Sequence, residues 1–350
     1  MKKRIIFFIL MFAVLIFTGC SKNTQNKILK KVNDNIQKHD KYEVKANLEI
    51  ISNDESYNYS VLLDNYKDKY YKVSLINKAN SKEQVILKND EAVYVITPSL
   101  NKSFKFQSSW PNNGSQIYLL ESIYNDLKTD EKRSFEITKN GYVFISEVEY
   151  PSNKSLKKQK VTIDNDYYIK KVEILNKKDI PMMTIVFDRP KSKNLKEDDF
   201  SLDNFIEEEK EDEESDEEKE GKKSKEEQES EETETTGDLD DILYPLYLPS
   251  NTKLSHKQTV NTENGQRAIL TFAGDKSFIL VEENSTKEKE FTVIPTSGEP
   301  CIFMDAIGSI SDNSVTWTSN NVDYYLTSTV MSQNELMEVA QSINITPNTK

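Results

Sequence analysis

The sequence predicts a mainly β protein: a curled antiparallel sheet, open like a half-barrel and covered by a helical lid, followed by a second, smaller α+β domain. Apolar and polar residues alternate through most of residues 42–187, as in strands that bury one face. Two stretches, residues 24–39 and 115–128, have a helical period instead. A shorter set of strand patterns after residue 242 ends in one helix, which predicts the second domain.

The chain begins with the charge pattern of a secretory signal. Lys2, Lys3 and Arg4 precede an unbroken apolar run, residues 5–17. As a helix, this run would rise about 20 Å, which is less than the roughly 30 Å hydrocarbon core of a bilayer. The run therefore predicts the apolar part of a signal peptide rather than a membrane span.

The apolar run ends in Phe17-Thr18-Gly19-Cys20, which resembles the lipobox of bacterial lipoproteins, although Phe17 stands where leucine is usual. The resemblance implies cleavage before Cys20 and attachment of lipid to its thiol, including fatty acids such as palmitate. We expect residues 1–19 to be a signal peptide and residues 20–26 a lipidated tether on the extracytoplasmic face of the cell membrane. The alternative is a plain signal peptide with an incidental cysteine.

The first domain is predicted over residues 27–206. Before its first strand lies an amphipathic helix, residues 24–39, with an apolar stripe that includes Ile28, Val32 and Ile36. The period then changes to two along residues 42–50. Further strands are predicted at Tyr57–Leu63, Tyr70–Ile76, Gln84–Lys88, Ala92–Thr97 and Ser103–Gln107.

A second helix is predicted at Ser115–Lys128, after the turn signals of Pro111 and Gly114. Its apolar face would form the lid of the sheet. The strand pattern then resumes at Phe135–Thr138, Tyr142–Tyr150, Lys160–Ile163, Tyr168–Asn176 and Met182–Phe187. Because a sheet of so many strands usually curls, one of its faces is expected to be concave.

The concave face is the predicted binding site. Helices that lie across it can leave a cleft for an apolar ligand. The alternative is an ordinary core, in which the same side chains fill the space. The candidate residues are Ala46, Leu48, Val61, Leu63, Val73, Leu75, Trp110, Ile117, Leu120 and Tyr124.

An acidic, disordered linker is predicted over residues 207–241. Within residues 207–236, seventeen Asp or Glu residues stand against five Lys or Arg, so this segment carries −12 of the chain's net charge of −13. It contains no apolar side chain that could be buried. As a spacer, it would let the second domain reach outward from the membrane, and the alternative is an acidic tail that binds cations or a basic protein.

The smaller α+β domain is predicted over residues 242–345. Its helix begins at a capping box formed by Ser332 and Glu335 and continues with an apolar stripe. Its strands are predicted at Lys253–Thr259, Arg267–Ala273, Ser277–Glu282, Glu290–Val293, Ser314–Thr318 and Val322–Ser328.

The sequence disfavours enzyme chemistry. Its two histidines, His39 and His256, fall in different domains, and no zinc, phosphate-binding or nucleophile motif occurs. Cys301 has apolar neighbours, which favours a buried structural thiol. We expect no catalytic residue, no metal and no cofactor. Lysine and arginine are dispersed among acidic residues, so we expect no nucleic-acid partner.

Residues 84–113 carry a resemblance to a known family. Gln84–Glu91, Val95–Phe104 and Gln107–Asn113, with Trp110-Pro111-Asn112-Asn113, resemble the sporulation and germination lipoproteins of spore-forming Firmicutes. These are relatives of the LolA/LolB-like outer-membrane lipoprotein carriers, and the resemblance spans about residues 22–206. It implies a LolA-like curved half-barrel with a helical lid and a cavity for lipid or lipoprotein.

The C-terminal part, from Tyr247–Pro249 to Ala340–Ile343, is similar to a small domain of unknown function in Firmicute membrane-anchored proteins, some resembling anti-sigma factors. Two hypotheses follow for the non-enzymatic, membrane-anchored lipoprotein. In the first, the concave sheet binds a lipid, an acyl chain or a lipoprotein during envelope or spore assembly or germination. In the second, a scaffold docks an envelope-remodelling enzyme or an anti-sigma-type signalling partner through protein contacts alone.

Overall fold

The computed structural model describes residues 24–206, 239 and 242–343, apart from residues 39, 53, 54, 113, 151, 152, 264 and 304. The predicted signal peptide, Cys20, His39 and the predicted linker except Leu239 lie outside the described residues. No helix in the described ranges combines the length and the apolar character that a membrane span needs.

The first sheet is an open, curved half-barrel built mainly from the N-terminal part of the chain. Twelve strands come from this part: β1 (Lys41–Ser52), β2 (Glu55–Tyr66), β3 (Tyr70–Asn77), β4 (Glu83–Lys88), β5 (Val93–Thr97), β6 (Lys102–Phe106), β7 (Ser134–Thr138), β8 (Gly141–Glu147), β9 (Leu156–Asp164), β10 (Ile169–Asn176), β11 (Pro181–Phe187) and β12 (Lys191–Ser192). Their spatial order is β6-β5-β4-β3-β2-β1-β11-β10-β9-β8-β7, with β12 also paired to β1, and all these pairs are antiparallel.

Two helices cover the concave face of this sheet. Residues 24–37 form α1, whose apolar stripe is buried, and Leu120–Thr129 form α2, which buries Leu120, Ile123 and Leu127. The alternation of β1 sends its even-numbered side chains, from Tyr42 to Ile50, into the same core. The expected curled sheet with a helical lid is therefore confirmed.

The convex face of the first sheet is covered by the chain that follows β12. A 3-10 turn at Glu197–Phe200 and the helical residues 203–206, in α3, pass over strands β4 and β5. Phe200 is fully buried there and stacks on Tyr66 with ring centroids 6.3 Å apart. The sheet is thus buried on both faces in this region, which explains why all five residues of β5 are buried.

The second sheet has seven antiparallel strands and one covering helix. The strands are β13 (Thr252–Thr262), β14 (Gly265–Gly274), β15 (Phe278–Asn284), β17 (Glu299–Phe303), β18 (Ala306–Ile310), β19 (Ser314–Ser319) and β20 (Val322–Thr327), in the order β13-β14-β15-β20-β19-β18-β17. Helix α4 (Gln333–Gln341) packs its buried side chains on one face. The predicted capping box is present, because the Ser332 hydroxyl and the Glu335 carboxylate each accept from the other residue's backbone N–H.

One strand of the C-terminal part belongs to the first sheet. Strand β16 (Thr292–Thr296) lies parallel to β6 and extends that sheet to thirteen strands. The expectation that the linker lets the second part reach outward on its own is therefore wrong, because pairing in the sheet holds this part against the first.

The predicted strands differ from the observed ones mainly in this region. A strand was expected at Glu290–Val293, and β16 begins and ends two or three residues later. Strands β17 and β18 were missed altogether. Pro300 interrupts the pattern of β17, and β18 is buried at all five positions, so neither strand alternates.

Candidate functional site

The ten residues predicted to line a binding cavity lie together on the concave face. Nine are buried in the first core, and Tyr124 is half-buried against it. The nine are Ala46, Leu48, Val61, Leu63, Val73, Leu75, Trp110, Ile117 and Leu120. Since α1 and α2 contribute their own apolar side chains to this cluster, the concave face is occupied by the protein itself.

A cavity of about 230 Å³ remains where the two sheets meet. Of the predicted cavity residues, Ile117 lines it. Typical ligand pockets have volumes of about 300–1,000 Å³, so this inter-sheet cavity suits only a small group. Its apolar lining includes Ile50, Ile117, Tyr118, Leu156, Met182, Met183, Pro300, Cys301, Ile302 and Ile310.

Cys301 faces the inter-sheet cavity from β17. Burial raises the pKa of its thiol to about 12. At neutral pH the side chain is therefore a protonated thiol rather than a thiolate, and it is a poor nucleophile. This environment is typical of a structural cysteine.

A second concave region, of about 470 Å³, lies beside the N-terminal end of α2. We call this region the α2 groove. Four carboxylates line it, from Asp68, Glu121, Asp126 and Glu149, and its described lining contains no lysine, arginine or histidine. Its other lining residues include Asn33, Ile36, Gln37, Tyr71, Asn112, Ser115, Leu119, Ser122, Tyr124 and Asn125.

Glu121 is the most constrained carboxylate of the α2 groove. It lies in the first turn of α2, where one oxygen, Oε1, accepts a hydrogen bond from the Tyr42 hydroxyl at 2.6 Å and another from Asn65 Nδ2 at 3.4 Å. The other oxygen, Oε2, is buried and has no hydrogen-bond partner among the described residues. Burial is the largest effect on its pKa and, with the negative charge of Asp68, raises it to about 7, against the opposing effect of the Tyr42 hydrogen bond.

Asp126 lies farther along α2 in the same groove. Burial raises its pKa to about 6, although a hydrogen bond with Ser115 acts in the opposite direction. Carboxylates whose pKa is raised in a concave site are candidates for function. In the described part of the chain, no group of three or more Asp, Glu, His or Cys is arranged to hold a metal ion.

Sequence reasoning did not find the α2 groove. Its acids come from the β2–β3 turn, from α2 and from the chain after β8, so only the fold brings them together. Acidic residues are also so common in this chain that no single pair stands out. One signal was available: Glu121 directly follows an apolar residue of the helix stripe, Leu120, at a position close to the buried face.

Comparison with solved structures gives weak likenesses over much of the chain. The MucA/MucB complex of Pseudomonas aeruginosa matches at 11% identity, over 92% of this chain and 98% of that chain, with a TM-score of 0.31. The LolA superfamily protein NE2245 from Nitrosomonas europaea matches at 15% identity, over 51% and 98%, with a TM-score of 0.29. A chain in the structure of the CwlD amidase from Clostridioides difficile in complex with the GerS lipoprotein matches at 18% identity, over 49% and 94%, with a TM-score of 0.27. Scores of this size carry no conclusion about function.

Comparison of sequences is more informative. No protein-family model matches the chain. The sporulation protein YdcC of Bacillus subtilis (strain 168), however, is 34% identical over 332 residues, which cover 95% of this chain and 94% of the relative. Identity at this level over nearly the full length of both proteins shows common descent, and the chain belongs to the family of the sporulation protein YdcC.

Proposed function

We propose that this chain is a lipid-anchored, non-enzymatic sporulation protein that binds a protein partner in the α2 groove. The role in sporulation is inferred from the relative of that name. We favour a protein partner over a lipid because side chains fill the concave face of the first sheet. The cavity of about 230 Å³ between the sheets is too small for a whole lipid. The partner is a component of the cell or spore envelope, such as a remodelling enzyme or a signalling protein.

The charges of the α2 groove support a partner that presents a basic side chain. A lysine or arginine placed among Asp68, Glu121 and Asp126 would neutralise carboxylates, since the described lining of the groove contains no basic side chain. It would also give the buried Oε2 of Glu121 a charged hydrogen-bond donor. Binding would then lower the pKa of Glu121 from about 7, because a nearby positive charge favours the ionised carboxylate.

Neutralising the groove tests this proposal. Glu121→Gln with Asp126→Asn keeps the shape of both side chains and leaves Oε1 to accept from Tyr42. We expect this double variant to fold normally and to recover at least about tenfold less of one defined partner in crosslinked pull-downs from sporulating cells, since a charged contact is worth roughly 1.5–3 kcal/mol.

The matched control removes two exposed acids elsewhere, Glu136→Gln with Glu263→Gln. It removes the same number of acidic groups and should capture the partner as the unaltered protein does. Equal capture by the groove variant and the control would rule out the groove as the docking site.

The lipid hypothesis retains one supporting observation, the inter-sheet cavity. Its mixed lining, with Met182, Met183 and Ile302 beside Gln116 and Glu299, suits a small amphipathic group or the end of an acyl chain. Native mass spectrometry of the purified protein would reveal a retained lipid as added mass. Such a mass, lost on filling the cavity with Cys301→Phe, would favour this hypothesis instead.

The lipid anchor on Cys20 is part of the same proposal. The short polar stretch between Cys20 and α1 would keep the first sheet near the extracytoplasmic face of the cell membrane. A protein held there meets envelope components at the membrane surface, where the proposed partner would be found.

A further inference from the structure

The contact between the first sheet and its flanking chain, centred on residues 97–106, and residues 285–323 of the C-terminal part has the composition of a permanent protein interface. It combines a backbone layer, a buried charge and an apolar layer. Linked domains usually move relative to one another unless their interface is large and apolar. The contacts that the structure describes in each layer do not involve the acidic segment, residues 207–238, that connects the two parts covalently.

The backbone layer is strand pairing. Strand β16 pairs with β6 over five residues, from Thr292 opposite Lys102 to Thr296 opposite Phe106. The chain just before β16 adds hydrogen bonds: Glu288 N–H donates to Leu100 at 3.0 Å, and Thr292 N–H donates to Asn101 at 2.8 Å. The Asn101 side chain in turn donates to the Glu288 carbonyl at 2.9 Å. Main-chain pairing of this kind is a common way to bind an extended segment at a sheet edge.

The buried charge is Lys102, the first residue of β6. Its side chain is only 7% exposed and extends into the C-terminal part, where Nζ lies 3.5 Å from Glu288 Oε1 and 3.4 Å from Asp323 Oδ2. It also donates to the Ser285 hydroxyl at 3.2 Å. A buried lysine is tolerated when carboxylates and hydrogen bonds offset the loss of its hydration, and the carboxylates here come from the other part of the chain.

The apolar layer interlocks the cores. Ile302 and Ile307, from β17 and β18, pack in the core of the first sheet, and Tyr57 of β2 contacts the cores of both sheets. Phe291, directly before β16, packs with Phe205 on the cluster at the convex face. Aromatic and aliphatic anchors of this kind supply most of the affinity in protein interfaces.

From these layers we infer that residues 242–343 bind the first sheet as a non-covalent partner, so that the two parts of the chain stay assembled after the acidic segment is cut, with Lys102 as the residue on which this docking depends. The edge of β6 is then a strand-binding site that the chain occupies itself. The acidic segment is not required to hold the complex together.

Cutting the complete mature chain tests the inference. A protease site placed within residues 207–238 allows the folded protein to be cut in place, and size-exclusion chromatography in native buffer then shows whether the two fragments travel together. We expect a single peak that contains both fragments at micromolar concentration. Two peaks from the cut protein would overturn the inference.

Charge reversal at Lys102 tests the named contact. Lys102→Glu places a third carboxylate beside Glu288 and Asp323, and we expect it to weaken binding between the cut fragments by about 30-fold or more. Lys139→Glu is the matched control, because Lys139 is exposed in the turn between β7 and β8, at the opposite edge of the first sheet. It should leave the cut complex unchanged.

If Lys102→Glu prevents folding of the uncut chain, the added change Glu288→Lys should restore both folding and assembly, because it exchanges the two charges. If folded Lys102→Glu binds unchanged, or if the charge exchange does not restore binding, then Lys102 does not stabilise the contact between the two parts.

Discussion

Glu282 is a buried carboxyl group in the core beneath α4. It is fully buried on β15, where Oε2 accepts a hydrogen bond from the Leu243 N–H at 3.0 Å and Oε1 has no partner among the described residues. Burial raises its pKa to about 7, although the Leu243 hydrogen bond and the charge of Lys257 act in the opposite direction. The Glu282 side chain therefore fixes the segment around Leu243, which leads into the second sheet. Its ionised form lowers the stability of the fold, because a buried carboxylate has lost its hydration.

The pH dependence of stability should reveal this cost. The folded chain binds a proton at Glu282 up to about pH 7, whereas the unfolded chain releases it near the ordinary value of 4.5. The free energy of unfolding therefore falls as the pH rises between these values and stays lower above them. We expect Glu282→Gln to stabilise the protein by roughly 1–3 kcal/mol at pH 8 and by little at pH 4, measured by urea unfolding.

The exposed Glu136 provides the control, because Glu136→Gln should change stability equally little at both pH values. Identical unfolding curves for Glu282→Gln and the unaltered protein at pH 8 would contradict the prediction.

Sequence pattern predicts apolar burial well at the residue scale and polar burial poorly. Ile28, Val32 and Ile36 were placed on a buried stripe, and all three are buried in the first core. Glu282 and Lys102 are as deeply buried, yet their residue types indicate solvent exposure. Their burial depends on partners 39 or more than 180 residues away in the sequence, and a local pattern does not contain that information.

At the scale of elements, the first sheet forms one layer, helices α1 and α2 form a second, and the two layers pack around one apolar core. Strand β2 shows the arrangement: Leu63 is fully buried, pairs with Val44 and Val73 on the neighbouring strands, and belongs to the core under α1 and α2. When a side chain in such a filled core is shortened, the fold loses the free energy gained by burying the removed atoms and also the packing contacts around the gap.

Shortening Leu63 distinguishes a filled core from a ligand cavity. We expect Leu63→Ala to lower the free energy of unfolding by about 2–5 kcal/mol, because the surrounding layers can collapse only partly into the gap. Equilibrium urea unfolding measures the change. Leu246→Ala, at a side chain that is 73% exposed, should shift stability by less than about 0.5 kcal/mol. A small effect at Leu63 would mean that its side chain borders empty space.

Most elements of the first sheet could be predicted because each carries its own period. The helical stripe before β1 and the strict alternation along β1 are local signals, and both elements were predicted within about two residues of their bounds. The pairing of β16 with β6 could not be predicted, because strand patterns do not specify partners. The ten predicted cavity residues lie together on the concave face, but periodicity cannot tell side chains that line a cavity from side chains that fill it, and the α2 groove was not predicted.

At the scale of the whole molecule, the proposed tether and the docked second part define one body near the membrane. The two sheets share contacts at β16, at Lys102 and around Tyr57, so an anchor on Cys20 would position both of them together. The second sheet is then held at a fixed place on the first rather than at a distance set by the acidic segment.

Removing the lipidation site tests the importance of this position. We expect Cys20→Ala to move the protein from the membrane fraction to the soluble fraction and to reduce spore formation at least about tenfold, while the unfolding midpoint of the mature domain stays unchanged. The neighbouring variant Ser21→Ala should remain membrane-bound and active. Normal sporulation with the released protein would show that the anchor is dispensable.

The parallel strand β16 also constrains the order in which the protein can fold. It pairs with β6 across about 190 residues of sequence, so this edge of the first sheet stays open until nearly the whole chain has been made. An open edge with free N–H and C=O groups is prone to pair with other chains, and contacts between distant residues form slowly. The late arrival of residues 292–296 therefore ends the period in which the nascent protein is most exposed to aggregation.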